Sequence, residues 1–151
     1  MKIGIIFGTR PEAIKVAPVY INLKKSGINV KAVVTGQHKE MLYQVLELFG
    51  IIPDYDIGIM KEGQSLSELT GRLLIELDKI VKKEKFTYIL VQGDTTSALT
   101  GALVAFYNNI PVGHIEAGLR TGNIYSPFPE EANRKIIGNI SNVHFTPTEI
   151  N

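Results

Sequence analysis

The 151-residue sequence contains no cysteine, which excludes a disulfide framework and thiolate metal sites and suits a reducing cytoplasm. It also lacks an excess of either charge, since 16 Lys and Arg against 15 Asp and Glu leave a formal net charge of +1. That balance gives no electrostatic case for nucleic acid or an anionic membrane, so neither is an expected partner. Any anion site must therefore be local. No apolar run approaches the length of a membrane span, and the opening MKIGIIFGTRP, with one lysine and a very short apolar stretch, reads as a strand rather than a signal peptide. A soluble, cytoplasmic protein is expected. Internal repeats and low-complexity tracts are missing too. What is present is material for a core: 44% of residues are hydrophobic, enough for one folded domain of this length.

Short apolar runs alternate with longer helical patterns. KIGIIF (2–7), NVKAVV (29–34), FTYILV (86–91), IPVGHI (110–115) and NVHFT (142–146) have the continuous Ile, Val and Leu of strands buried on both faces. Helices are predicted at about 12–25, 39–48, 65–84, 95–107 and 129–140. Strands and helices in strict alternation imply a Rossmann-like, doubly wound α/β domain with a parallel sheet and right-handed crossovers. Pro18 inside the first helix removes a backbone donor, which predicts a kink or a later start. Thr146–Glu149, TPTE, carries a capping-box pattern that announces a further helix, so the chain is expected to be the first domain of a longer protein.

In an open α/β sheet ligands bind outside the carboxyl ends of the strands. Segments entering strands (KKSGI, KKEK, YNNIP) are ordinary polar turns, whereas those leaving strands read GTRPE, TGQHKE, QGDTTS and EAGLRTGNIYSPFPEE. Nearly all residues of chemical range lie in the second set: Arg10, Gln37, His38, Asp94, Glu116, Arg120, Glu130 and Glu131. Around GTRPEAIK, Arg10 and Lys15 beside a helix start suit an anion, and a loop glycine with two solvated bases is an equal reading. The pattern G-x-G-x-x-G is absent, Thr35 and Gly36 stand where a ribose-binding acid would be, and there is no P-loop. No NAD, ATP or other cofactor is therefore expected. Asp94 and Thr95 read singly as helix caps. The segment before Glu130 is harder to dismiss, because a connection of that length is uncommon unless it has a task. Glu130 and Glu131 suit a helix start, and their spacing predicts i,i+4 pairs Glu130–Arg134 and Glu131–Lys135. His38, His114 and His144 show no metal spacing, so no catalytic metal is expected.

Taken together, FGTRPEAIK, TGQHKEML, QGDTTSA, PVGHIEAGLRTGNIYSPFPEEANRK and HFTPTE resemble, in order and spacing, the amino-terminal half of the non-hydrolysing UDP-N-acetylglucosamine 2-epimerases. The resemblance runs from Met1 to the last residue. It implies that residues 1–151 form the amino-terminal Rossmann-like domain of a two-domain, glycosyltransferase-B-like isomerase, homodimeric at full length, with its active site between the two halves. By position it makes Asp94, Glu116 and Glu130 the catalytic acids, with Glu130 preferred to Glu131, and Arg10 and Lys15 the bases near the nucleotide. Gln37, His38, Glu40 and Gln64 match an allosteric site for UDP-N-acetylglucosamine, although Gly63 replaces an arginine found in some members. The implied reaction is elimination and re-addition of UDP, interconverting UDP-N-acetylglucosamine and UDP-N-acetylmannosamine for cell-surface polysaccharide precursors, with this fragment alone inactive. Three rivals share the features: a hydrolysing epimerase, a glycosyltransferase-B sugar transferase and a non-catalytic nucleotide-sugar-binding module.

Overall fold

A computed structural model describes residues 1–36, 39–59, 61 and 63–150. In chain order it contains β1 (Lys2–Phe7), α1 (Arg10–Lys25), β2 (Asn29–Val34), α2 (Lys39–Leu48), β3 (Tyr55–Asp56), α3 (Leu66–Glu84), β4 (Tyr88–Gln92), α4 (Thr96–Tyr107), β5 (Val112–Ile115), α5 (Glu130–Ile140) and β6 (Val143–Phe145). The strands form one parallel sheet in the order β3-β2-β1-β4-β5-β6. This is the doubly wound, Rossmann-like arrangement, and its order reverses between β1 and β4.

Each face of the sheet carries its own core. Along β1, Ile5 and Phe7 join Ala13, Val16 and Ala17 of α1 and Leu42 and Leu46 of α2. Ile6, one residue out of phase, joins Leu73 and Leu77 of α3, Ala98 and Ala102 of α4, and Ile137 of α5. This two-residue alternation, with every position apolar, is why the strands read as continuous hydrophobic runs. Truncating Leu73 or Leu77 to Ala would cost about 2–5 kcal/mol each. The helix α4 lies close to the sheet because its inner face is small. A Cβ on Gly101 would stand 3.1 Å from Val91 Cγ1 and 3.2 Å from Ile6 Cβ.

One expectation needs correction. The first helix begins at Arg10 and runs unbroken through Pro18, because Thr9 and Glu12 form a capping box that fixes the earlier start. Pro18 and Ile14, whose carbonyl loses its helical partner, are both exposed, so water can serve that oxygen. Residues 147–150 after Thr146 form bends and a turn, and the described residues stop at 150, so the expected further helix is not tested. The edge strand β3, which the sequence reading did not anticipate, is only two residues long, and the continuous apolar run that marks the other strands is missing around it.

Candidate functional site

At the reversal of strand order, the loops leaving β1 and β4 diverge to opposite faces and leave a crevice. Two residues shape its floor. Gly8 has no side chain, and a Cβ there would lie 2.0 Å from Thr35 Oγ1 and 2.6 Å from Ser97 Oγ. Those two hydroxyls instead meet at 2.7 Å beneath it. Glu12, buried in the first turn of α1, accepts hydrogen bonds from the amides of Gly8 (3.0 Å) and Thr9 (2.7 Å) and from Thr95 Oγ1 (2.7 Å). Thr95 in turn caps α4 by accepting from the Ala98 amide. One carboxylate therefore ties together the helix starts on the two sides of the crevice. Burial pushes the Glu12 carboxyl above the usual range, with the bonds from Thr95, Gly8 and Thr9 opposing it.

Beside that floor is a charged cluster. Asp94 follows β4, Glu116 follows β5, and Arg134, buried in the second turn of α5, bridges them. The guanidinium donates to Asp94 Oδ2 through Nε at 3.1 Å and also through Nη2, donates to the Glu116 carbonyl through Nη1, and has Nη2 3.8 Å from Glu116 Oε2. Lys15 of α1 pairs with Glu116 Oε1, and Gln92 Nε2 donates to Glu116 Oε2 at 2.6 Å. Glu116 holds this position in the left-handed backbone region, at φ 62°. An ordinary L-residue adopts that conformation at a cost of about 1–2 kcal/mol.

The two glutamates at the start of α5 separate clearly. Glu131 points inward, 3% exposed, and its Oε2 accepts from the Thr121 amide at 3.0 Å, fastening the long 116–129 connection. That bond holds its carboxyl below the usual range against the effect of burial. Its Oε1 lies 3.8 Å from Lys135, the predicted pair. Glu130 is half-buried, and its Oε2 is buried without a hydrogen-bond partner among the described residues. The predicted Glu130–Arg134 pair does not form, because Arg134 is drawn into the tertiary contacts with Asp94 and Glu116.

Of the predicted site residues, Asp94, Glu116 and Lys15 thus meet in one network. Arg10 stands exposed at the first position of α1, and its side chain makes no hydrogen bond or ion pair among the described residues. Glu40, exposed in the first turn of α2, follows β2, and Gln64, which accepts from Arg72 Nη1 at 3.2 Å, follows β3, whereas Asp94 and Glu116 follow β4 and β5. Gln37 and His38, the other two predicted allosteric residues, fall outside the described residues. Sequence reasoning passed over Glu12, Gln92 and Arg134. The Thr9–Glu12 capping box was a readable sign for the first, whereas Arg134 was masked by its local i,i+4 partner.

Below the cluster, His114 of β5 donates from Nε2 to the Gly93 carbonyl at 2.7 Å, and its buried Nδ1 has no hydrogen-bond partner among the described residues. Burial pushes this ring down to about 4, so it is neutral at physiological pH. Among the described residues no three His, Asp or Glu side chains are grouped to hold a metal ion, and no helix is long and apolar enough to cross a membrane.

A sequence model of the family described as UDP-N-acetylglucosamine 2-epimerase matches residues 22–151. The chain belongs to this family. It is 55% identical over 150 residues to the UDP-N-acetylglucosamine 2-epimerase of Escherichia coli K12, covering 99% of this chain and 40% of that enzyme. The crystal structure of the Neisseria meningitidis epimerase bound to UDP-GlcNAc superposes with a TM-score of 0.95 at 54% identity, over 99% of this chain and 40% of that one. The Methanocaldococcus jannaschii epimerase, in complex with UDP-GlcNAc and UDP, gives 0.93 at 41% identity, over 99% and 41% respectively. This epimerase-family chain therefore spans about 40% of the length of the curated relatives it matches.

Proposed function

We propose that the full-length protein is a non-hydrolysing UDP-N-acetylglucosamine 2-epimerase and that Asp94, Glu116 and Glu130 are its acid/base groups. The observation that carries this is the placement of three carboxylates, two of them bridged by one buried guanidinium, at the carboxyl edge of the sheet in a chain of this family. The substrate's C2 hydrogen is not adjacent to a carbonyl, so direct removal as a proton would face a very high barrier. Elimination avoids that. The C1–O bond breaks with its electron pair leaving on UDP, the sugar gains oxocarbenium character, and the acidified C2 proton passes to a carboxylate as the C1–C2 double bond forms. Re-addition of UDP to C1, with a proton delivered to the opposite face of C2, yields the manno epimer. Two faces require two acid/base groups, and a third carboxylate can stabilise positive charge or serve the leaving group.

Lys15 and Arg10, which has no partner among the described residues, suit the diphosphate by their charge, with the dipole at the start of α1 adding to it. On the two-domain organisation that the family resemblance implies, a second domain would close this edge and complete the nucleotide site. These 151 residues alone are then inactive and bind UDP weakly, on the order of millimolar, because exposed charge pairs are each worth about 1 kcal/mol or less. Calorimetric titration of UDP into the chain checks this, and micromolar affinity would contradict it.

The reaction is tested by incubating the full-length protein with UDP-N-acetylglucosamine and no acceptor, followed by NMR. The expected product is UDP-N-acetylmannosamine. Free N-acetylmannosamine with UDP would point to the hydrolysing reaction, and unchanged substrate would point to a transferase or a binding module.

A further inference from the structure

We propose that Arg134 is a positioning residue for the reaction above: it sets the orientation of the Asp94 carboxylate and the backbone conformation of Glu116 together. The assignment rests on the epimerase reading for its kinetic consequence and on geometry for the positioning itself. Arg134 is 5% exposed, and a cation so buried is tolerated only with well-placed partners. Its partners are divided in an informative way. Nε and Nη2 both engage Asp94 Oδ2, which leaves Oδ1 without a partner among the described residues. Nη1 takes the carbonyl of Glu116, the residue held at φ 62°.

The two Glu116 carboxylate oxygens are engaged by Lys15 and Gln92. One planar guanidinium thus aims a free oxygen of one acid while clamping the unusual backbone of the other. Two further contacts brace this arrangement. Asn133, the preceding residue of α5, donates to the Asp94 carbonyl at 2.8 Å, and the Ala117 amide bonds to the Phe145 carbonyl at 3.1 Å on the far side of Glu116. A lysine at 134 would keep the positive charge but could not present the same fork to both residues.

The test uses Arg134→Lys and Arg134→Ala in the full-length enzyme. For Arg134→Lys, kcat is expected to fall by about 30- to 100-fold while KM and the dissociation constant for UDP stay within about threefold, the pattern of misplaced rather than missing groups. In Arg134→Ala, added guanidinium should recover part of the lost kcat. If the alanine variant fails to fold, the lysine variant carries the test. A folded Arg134→Lys enzyme with kcat within about threefold of the parent, or with its whole loss in KM, would overturn the proposal. Positioning is also read without turnover, in a crystal structure of Arg134→Lys. A rotated Asp94 carboxylate or a Glu116 backbone outside the left-handed region supports it, and both unmoved overturns it. If the parent enzyme shows no epimerisation at all, the reaction proposed above fails while this structural comparison still decides the role of Arg134.

Discussion

Two charged clusters sit at opposite ends of the sheet, and they differ in what is left over. Near the amino ends of β1 and β4, where α3 finishes, Glu84 pairs with Lys2, accepts from the Tyr55 hydroxyl and has Lys31 at 3.7 Å. Lys31 also reaches Asp54 at 3.3 Å, whose other oxygen accepts from the Ala32 amide at 2.9 Å. Those carboxylates are satisfied by neighbours that hold the fold. At the carboxyl end the cluster is just as dense, but it contains a left-handed Glu116 and, among the described residues, neither Glu130 Oε2 nor Arg10 has a partner. A cluster of charge is thus no sign of a site by itself. The sign is spare bonding capacity and backbone strain at the edge where a doubly wound sheet opens.

The largest effect should separate these two ends by activity. In the full-length enzyme Asp94→Asn, Glu116→Gln and Glu130→Gln are each expected to slow turnover by about a hundredfold or more, the scale of acid/base groups. Glu84→Gln should leave turnover within about twofold while lowering the melting temperature. Equal losses at both ends would erase the distinction. Next comes the pair within one turn of α5. Glu131→Gln removes the acceptor charge that holds the Thr121 amide, so it should loosen the 116–129 connection and reduce turnover less than Glu130→Gln does. The reverse ranking would show that the wrong glutamate was chosen.

The smallest effects are in pH dependence, in one lower and one higher window. Lys2 and then Tyr55 hold Glu84 down from 4.5 to about 2. Its contribution to stability is complete above pH 4.5 and is lost as the pH falls towards 2, because the unfolded chain takes up the proton first. Burial lowers His114 from 6.5 to about 4, so its contribution is complete above 6.5 and is lost as the pH falls to about 4. Urea titrations across pH should show Glu84→Gln flattening the lower window and His114→Gln the upper one. An unchanged pH profile in either variant would remove the assigned cause.

Most of the fold was legible because its signals are periodic. Runs such as KIGIIF and YILV bury both faces, and their spacing by helical patterns leaves little choice but a parallel sheet. The edge strand at Tyr55 was not legible, since a two-residue strand has no period to read. For the site, the contrast between loops entering and leaving strands located the edge. The choice of Glu130 over Glu131 needed family resemblance, as both suit a helix start equally. Arg134 was misread for a physical reason: its i,i+4 neighbour offers a pair worth a few tenths of a kcal/mol, whereas the Asp94 carboxylate 40 positions away and the Glu116 carbonyl 18 positions away offer much stronger partners. Local patterns rank local contacts, and a tertiary ion pair outranks them.

The most direct test of the account is the fate of the C2 hydrogen. Full-length enzyme turning over UDP-N-acetylglucosamine in D2O should place deuterium at C2 of the epimerised product. Exchange should persist in Glu84→Gln and be lost along with epimerisation in Asp94→Asn, Glu116→Gln and Glu130→Gln. Epimerised product that keeps its C2 hydrogen would contradict proton abstraction by the carboxyl-edge acids.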